Sequence, residues 1–230
     1  MQAITMSHVN KTYGSDTSAV HVLKDVNFSA TYGQLIDVVG PSGSGKSTFL
    51  SIAGGLLAPT SGSIDIGGAS LQDLRPRRRE QLRLTTIGFV LQSYNLVPFL
   101  TVRGQFALVD KVRGTRHMAR ERFDEVLQTL GIAQLLDAYP STLSGGQRQR
   151  AAIARALYAD PAIVLADEPT ASLDTDHAFQ VMATFRRLAH ETNKAIIVVT
   201  HDTRLERYAD GLYDITDGAI RVIEPHERVA

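Results

Sequence analysis

The 230-residue chain contains no cysteine and no tryptophan. Without thiols it forms no disulfide, holds no thiolate-ligated metal and uses no cysteine nucleophile, a composition that fits a reducing compartment. It also lacks a charge excess: 24 Lys and Arg balance 24 Asp and Glu, so nothing in the overall charge points to nucleic acid, and no such partner is expected. Its longest apolar runs, such as "AIIVV" at 195–199, fall far short of the roughly 20 residues of a membrane span. The opening "MQAITMSHVNKTYG" has no basic stretch followed by an apolar one, so no signal peptide is expected. The expectation is a soluble protein whose role at any membrane comes through a partner. One local imbalance survives, Arg75, Arg77, Arg78 and Arg79. Following Pro76, it reads as a solvated helix start rather than a binding patch.

What is present is an apolar fraction of 43%, enough for a proper core. It is distributed as alternating strand and helix signals, the α/β pattern. "VHVLKDVNFSA" (20–30) alternates like a half-buried strand, "QLIDVVG" (34–40) runs straight into glycines, and "SGSIDIGG" (61–68) is a short strand between turns. "IGFVLQ" (87–92), "AIVLAD" (162–167) and "AIIVVT" (195–200) are continuous apolar runs of strand length, as expected of parallel strands covered on both faces. "LYDIT-DG-AIRVI" predicts a hairpin turning at Asp217-Gly218. Between Gln92 and Leu143 the strand signal disappears, while "TVRGQFALVDKV" and the spacing of Phe123, Val126, Leu127 and Leu130 predict helices. The expected organisation is a single unit in which 1–92 and 144–230 form the sheet core with a β subdomain and 93–143 is an all-helical subdomain.

The chemistry begins at Gly40-Pro41-Ser42-Gly43-Ser44-Gly45-Lys46-Ser47-Thr48, which satisfies G-x-x-x-x-G-K-[ST] between a buried strand and a helix. Backbone N–H groups of such a loop wrap α- and β-phosphates, and the helix N-terminus adds a favourable potential for anions. Lys46 is placed to reach the β- and γ-phosphates and Ser47 to bind Mg²⁺. In "AIVLADEP", Asp167 and Glu168 emerge together from a strand; Asp167 suits the Mg²⁺ shell and Glu168 a general base acting on water. His201, after "VVT", and Gln92, after "IGFVL", end strands at the same expected sheet edge. Taken alone, each reads equally as a turn residue or a ligand. "LSGGQRQR" (143–150) is a second glycine-bearing helix start. Ser144 and Gln147 predict a capping box, and Gly145 and Gly146 leave backbone donors free for an anion.

These motifs, in this order and over nearly the whole chain, resemble the ATP-binding subunits of ABC transporters. The resemblance implies a P-loop NTPase core with a mainly parallel sheet, an N-terminal antiparallel β region and an inserted helical subdomain. It implies ATPase activity with ATP and Mg²⁺. Gln92 is then the Q-loop glutamine, linking the Mg²⁺ region to the helical insertion and joining Ser47 and Asp167 as a metal-site residue. Leu143–Gln147 is the signature, Asp174 lies in the D-loop "SLD", His201 is the H-loop histidine, and Tyr13 is the aromatic that stacks on adenine. The implied catalytic set is Glu168, His201, Lys46 and Gln92.

The resemblance also implies two copies packed head to tail, with Ser144, Gly145, Gly146 and Gln147 serving the neighbour's phosphate. An integral membrane permease, in two copies, is the implied partner at the cytoplasmic face of the membrane. It would insert a short helix near "SYNLVPFLTV", where Leu96, Val97, Phe99 and Leu100 are available, although internal packing is the expected fate of most of them. "GGLLAPTSGSI", "IGFVLQSYNLVPFLTV" and "THDTRLERYAD" are similar to the macrolide-efflux, lipoprotein-release and haem-efflux subfamily, and "LADEPTASLD" is most like its haem-efflux branch. Other members would act in lipoprotein release, in macrolide or peptide efflux, or as divisome regulators without transport. A DNA-repair ATPase would require a coiled-coil insertion and a translation ATPase two cassettes, and a P-loop kinase has no use for "LSGGQ". Asp37 departs from the pattern: a buried carboxylate there is costly and is expected to find a partner at a strand end or on a basic side chain.

Overall fold

The computed structural model describes residues 1–15, 18–113 and 117–223. Strand β1 (Gln2–Tyr13) lies between β2 (Val20–Thr31) and β4 (Ser61–Ile66), and β5 (Ala69–Ser70) completes an antiparallel sheet in the order β2-β1-β4-β5. The second sheet combines β3 (Leu35–Val39), β6 (Ile87–Val90), β7 (Ile163–Asp167), β8 (Ala195–Thr200), β9 (Gly211–Thr216) and β10 (Ala219–Val222) in the order β10-β9-β3-β8-β7-β6. All its pairings are parallel except the β9–β10 hairpin. Every residue of β3, β7 and β8 is buried, which is why β7 and β8 read as continuous apolar runs rather than alternating ones; in β3 the run is interrupted by Asp37.

Six helices connect and cover the strands among the described residues: α1 (Lys46–Ala53), α2 (Pro76–Thr86), α3 (Val102–Arg113), α4 (Arg120–Thr129), α5 (Gly145–Tyr158) and α6 (Thr175–Thr192). Helix α1 is enclosed between the two sheets: Phe49, Leu50, Ile52 and Ala53 share one core with Ile4, Phe28, Ile64 and Ile197. Phe28 and Phe49 meet edge to face at 4.9 Å, the arrangement aromatic quadrupoles favour. On the other face, α3 to α6 share a core in which Phe123, Val126, Leu127 and Leu130 are buried with Val164 and Val198. The described residues of 93–143 contain helices and short 3-10 turns and no strand. Within "NLVPFLTV", Leu96 packs on that core, whereas Phe99 remains 77% exposed.

Two features depart from the sequence reading. Strand β1 is an interior strand of its sheet yet does not announce itself, because its register with β2 shifts repeatedly and His8 adopts a left-handed φ of 52°. Such bulges break the two-residue period on which strand recognition relies. The second departure is Asp37, which is 0% exposed and has no hydrogen-bond partner on either carboxylate oxygen. The expected partner is absent; burial first, and then the negative charges of Glu206, Glu168 and Asp202, hold its pKa well above the usual carboxylate range.

Folding therefore retains a proton at Asp37, and stability declines as pH rises from the ordinary carboxylate range toward the raised one. Asp37→Asn cannot ionise. In urea titrations it is expected to match the wild type near pH 4 and to exceed it by about 1 kcal/mol or more at pH 8. Parallel pH dependences for the two proteins would place the buried proton elsewhere.

Candidate ATP site

The backbone between β3 and α1 is one that glycine alone supplies at two points. A Cβ on Gly40 would lie 2.2 Å from the Ile215 carbonyl oxygen, and Gly45 has φ 105°, where a Cβ would meet the Val22 carbonyl oxygen at 2.9 Å. Gly45 is the N-cap of α1 and provides no side-chain cap, and the first turn carries no acidic residue. The leading N–H groups of the helix are thus left for an external acceptor. Lys46 is buried, and its Nζ donates to the carbonyls of Gly40 and Pro41 at 2.7 and 2.8 Å. The loop keeps its own cation satisfied and close at hand.

These groups border a cavity of about 610 Å³. Ser42, Gly43, Gly45, Lys46, Ser47 and Thr48 line one side; Gln92, Asp167, Glu168 and His201 line the other. β3, β6, β7 and β8 are mutually parallel, so their C-terminal ends deliver these residues to one edge of the sheet. The fit to a phosphate and a divalent cation is visible in unmet polar groups: the Ser44 hydroxyl and one Asp167 carboxylate oxygen are buried without a hydrogen-bond partner. Burial raises the Asp167 pKa, against the lowering effects of the Ser47 side chain and the Lys46 charge. A cation held there would favour the ionised form.

Glu168 is the most constrained residue of the cavity. It has a left-handed φ of 48°, a conformation costing on the order of 1–3 kcal/mol that survives only when its surroundings over-determine it. Its N–H donates to the Val199 carbonyl at 2.9 Å. Its carboxylate accepts from the Thr200 hydroxyl at 3.2 Å and pairs with His201 Nδ1 at 2.8 Å. Thr200 was not among the residues the sequence marks, since a threonine closing an apolar strand is ordinary.

The remaining candidates lie elsewhere. Ser144, Gly145, Gly146 and Gln147 open α5 and do not line the cavity. The capping box there has both its bonds: the Ser144 hydroxyl accepts from the Gln147 N–H at 3.2 Å, and Gln147 Oε1 accepts from the Ser144 N–H at 2.8 Å. Asp174 caps α6 through the His177 N–H at 3.0 Å, and its bonds to His177 lower its pKa. Tyr13 closes β1 with its side chain 44% exposed and the Lys11 ammonium 5.0 Å from its ring centroid. It is not part of the cavity wall.

Gln149 also escaped the sequence reading. It is 2% exposed on α5, its Nε2 donates to the Glu168 carbonyl at 2.7 Å, and its Oε1 accepts from the Ser172 N–H at 2.9 Å. A single glutamine on a helix face otherwise made of Ala152, Ile153, Ala156 and Leu157 is the signal that could have revealed it.

Comparison with known proteins accounts for this arrangement. The profile of the ABC transporter family matches residues 23–171. The chain is 44% identical over 221 residues to the putative hemin import ATP-binding protein HrtA of Staphylococcus haemolyticus, covering 96% of this chain and 100% of that protein. Identity to the Staphylococcus aureus protein of the same name is 42%, with 95% and 99% covered. A dimeric post-hydrolysis structure of the ATP-binding cassette MJ0796 with ADP and phosphate superposes with a TM-score of 0.86 at 35% identity, over 99% of this chain and 100% of that one. A second dimeric structure of MJ0796, described as a bacterial ABC transporter cassette, gives 0.88 at 36% identity with the same coverage. The chain belongs to the ABC transporter family and is an ATP-hydrolysing cassette of that family.

Proposed function

We propose that two copies of this chain enclose ATP head to tail and that closure and opening of the pair drives a membrane permease that exports haem. The observation that carries the dimeric arrangement is the separation of two phosphate-type loops. Of the first loop, Ser42, Gly43 and Gly45 to Thr48 border the cavity, whereas Ser144–Gln147 opens a helix outside it. A second helix start that cannot serve its own chain's cavity is accounted for by service to another copy, and both MJ0796 structures are dimers.

In this reading Gly40, Pro41, Ser42, Gly43, Ser44 and Gly45 form the backbone cradle for the phosphates, with Lys46 and Thr48 completing it. Tyr13 stacks on the adenine. Ser47, Gln92 and Asp167 would hold Mg²⁺, which would supply neutralisation of phosphate charge. Glu168 takes a proton from the attacking water, whose oxygen bonds to the γ-phosphorus as the bond to ADP breaks. His201 and Thr200 fix the direction of the Glu168 carboxylate, through bonds of 2.8 and 3.2 Å. Ser144, Gly145, Gly146 and Gln147 of the second copy face the γ-phosphate, and Asp174 lies in the loop that connects the two sites. Departure of phosphate removes the bridging charge and the pair reopens, as in other nucleotide switches.

Residues 93–143 act as the helical unit that meets the permease, and 1–92 with 144–230 as the nucleotide-binding core. No helix among the described residues is long and apolar enough to cross a membrane, which suits a subunit held at the cytoplasmic face through its permease, in two copies. Phe99, exposed between β6 and α3, is available to that partner. Haem as cargo is supported by the HrtA relatives. Their name says import; export rests on the resemblance of "LADEPTASLD" to the efflux branch.

Glu168→Gln is expected to bind ATP, lose turnover by about 10²- to 10⁴-fold, and accumulate as an ATP-bound dimer in light scattering. Unchanged turnover would remove Glu168 from the base role. Ser144→Arg is expected to keep single-subunit ATP affinity in calorimetry and to remain monomeric; lost affinity would return that loop to its own chain's nucleotide. Cells lacking this cassette are expected to be hypersensitive to haem but not to macrolides or envelope stress. Haem resistance would reverse the direction of transport, and sensitivity to one of the other stresses alone would change the cargo.

A further inference from the structure

Glu168 needs its left-handed backbone held, and its N–H and side-chain bonds all come from the neighbouring strand β8 and the residue after it. Its carbonyl is held from a different direction. Gln149, buried on α5, donates Nε2 to that carbonyl at 2.7 Å and accepts the Ser172 N–H on Oε1 at 2.9 Å. One amide thus spans both ends of the turn 168–172 that joins β7 to the loop before α6. The hydrogen-bonded path continues outward, since the Ser172 hydroxyl meets the Tyr94 hydroxyl at 2.5 Å and Arg155, also on α5, donates to the Tyr94 carbonyl at 2.9 Å. Every polar atom of the Gln149 side chain is engaged, and little of it reaches solvent. A buried polar network with both ends satisfied fixes a geometry that apolar packing alone leaves loose.

We infer that Gln149 is the positioning residue of the Glu168 turn, coupling the base to the helix whose first turn carries Ser144, Gly145 and Gly146. The inference rests on the proposed roles of Glu168 as base and of Ser144–Gly146 as contacts to the second copy's nucleotide. On that footing each chain's α5 touches two nucleotides: one directly at its N-terminus, and its own indirectly through Gln149. When the second copy's γ-phosphate fixes the start of α5, the same helix fixes the carbonyl of Glu168 and sets the carboxylate toward water. Gln149 touches neither substrate nor the reacting atoms.

The test is the kinetics of Gln149→Met, which fills the same space without the two hydrogen bonds, beside Gln149→Asn, which keeps both amide groups on a shorter stem. Both are measured with Glu168→Gln as reference. Gln149→Met is expected to lower kcat on the order of 10- to 100-fold, the cost of misplacing a reacting group by a fraction of an ångström to an ångström. KM, ATP affinity and the thermal midpoint should stay close to wild type, and Gln149→Asn should recover part of kcat. If Gln149→Met does not fold, Gln149→Asn carries the same expectation of reduced kcat at unchanged KM. Wild-type kcat in a folded variant, or losses of kcat and ATP affinity in parallel, would overturn the inference. Turnover surviving in Glu168→Gln would instead overturn the base assignment, so the two failures are distinguishable.

Discussion

A triphosphate brings several negative charges to the end of β3, and the cassette meets them with backbone N–H groups at a helix start rather than with a surplus of cations. Among the described cavity-lining residues Lys46 is the only lysine or arginine, and the chain as a whole has equal numbers of basic and acidic residues. Neutral dipoles fixed by a glycine-shaped backbone need no reorganisation when the anion arrives. That choice dictates the rest of the core. Gly40 and Gly45 must press against the carbonyls of Ile215 and Val22, so the loop is held by β9 and β2 as well as by its own helix. Helix α1 in turn is held between the two sheets through Phe49 and its neighbours.

The same economy governs the carboxylates. Asp167, Glu168 and Asp37 are all buried near the C-terminal half of the parallel strands, and each is managed differently. Asp167 keeps one buried oxygen without a hydrogen-bond partner. Glu168 spends backbone strain to aim a carboxylate already bonded to Thr200 and His201. Asp37 is pushed toward its protonated form, first by its complete burial and then by the negative charges of Glu206, Glu168 and Asp202.

Much of this was legible in the residues. The apolar runs ending in Asp167 and Thr200 identify parallel strands because burial on both faces leaves few polar positions in them, with Asp37 in the run before Gly40 as the exception, and the motifs mark the cavity because phosphate chemistry permits few alternatives at those places. Strand β1 was not legible residue by residue, since the irregularity around His8 disturbs its alternation. Neither was the Gln149 network, which joins residues 23 positions apart through one side chain and depends on how α5 packs. The absence of any partner for Asp37 is likewise a property of three-dimensional packing: the strands beside it offer only Val198 and Leu212.

Two loops of phosphate-binding type on one chain, only one of them at the cavity, make the composite site the central claim. It is tested most directly by mixing two inactive variants, Lys46→Ala and Ser144→Arg, at equal concentration and measuring ATP turnover. A site built from Lys46 of one copy and Ser144 of another predicts that the mixture hydrolyses ATP although neither variant does so alone. A mixture as inactive as its components, with mixed dimers shown to form, would contradict it.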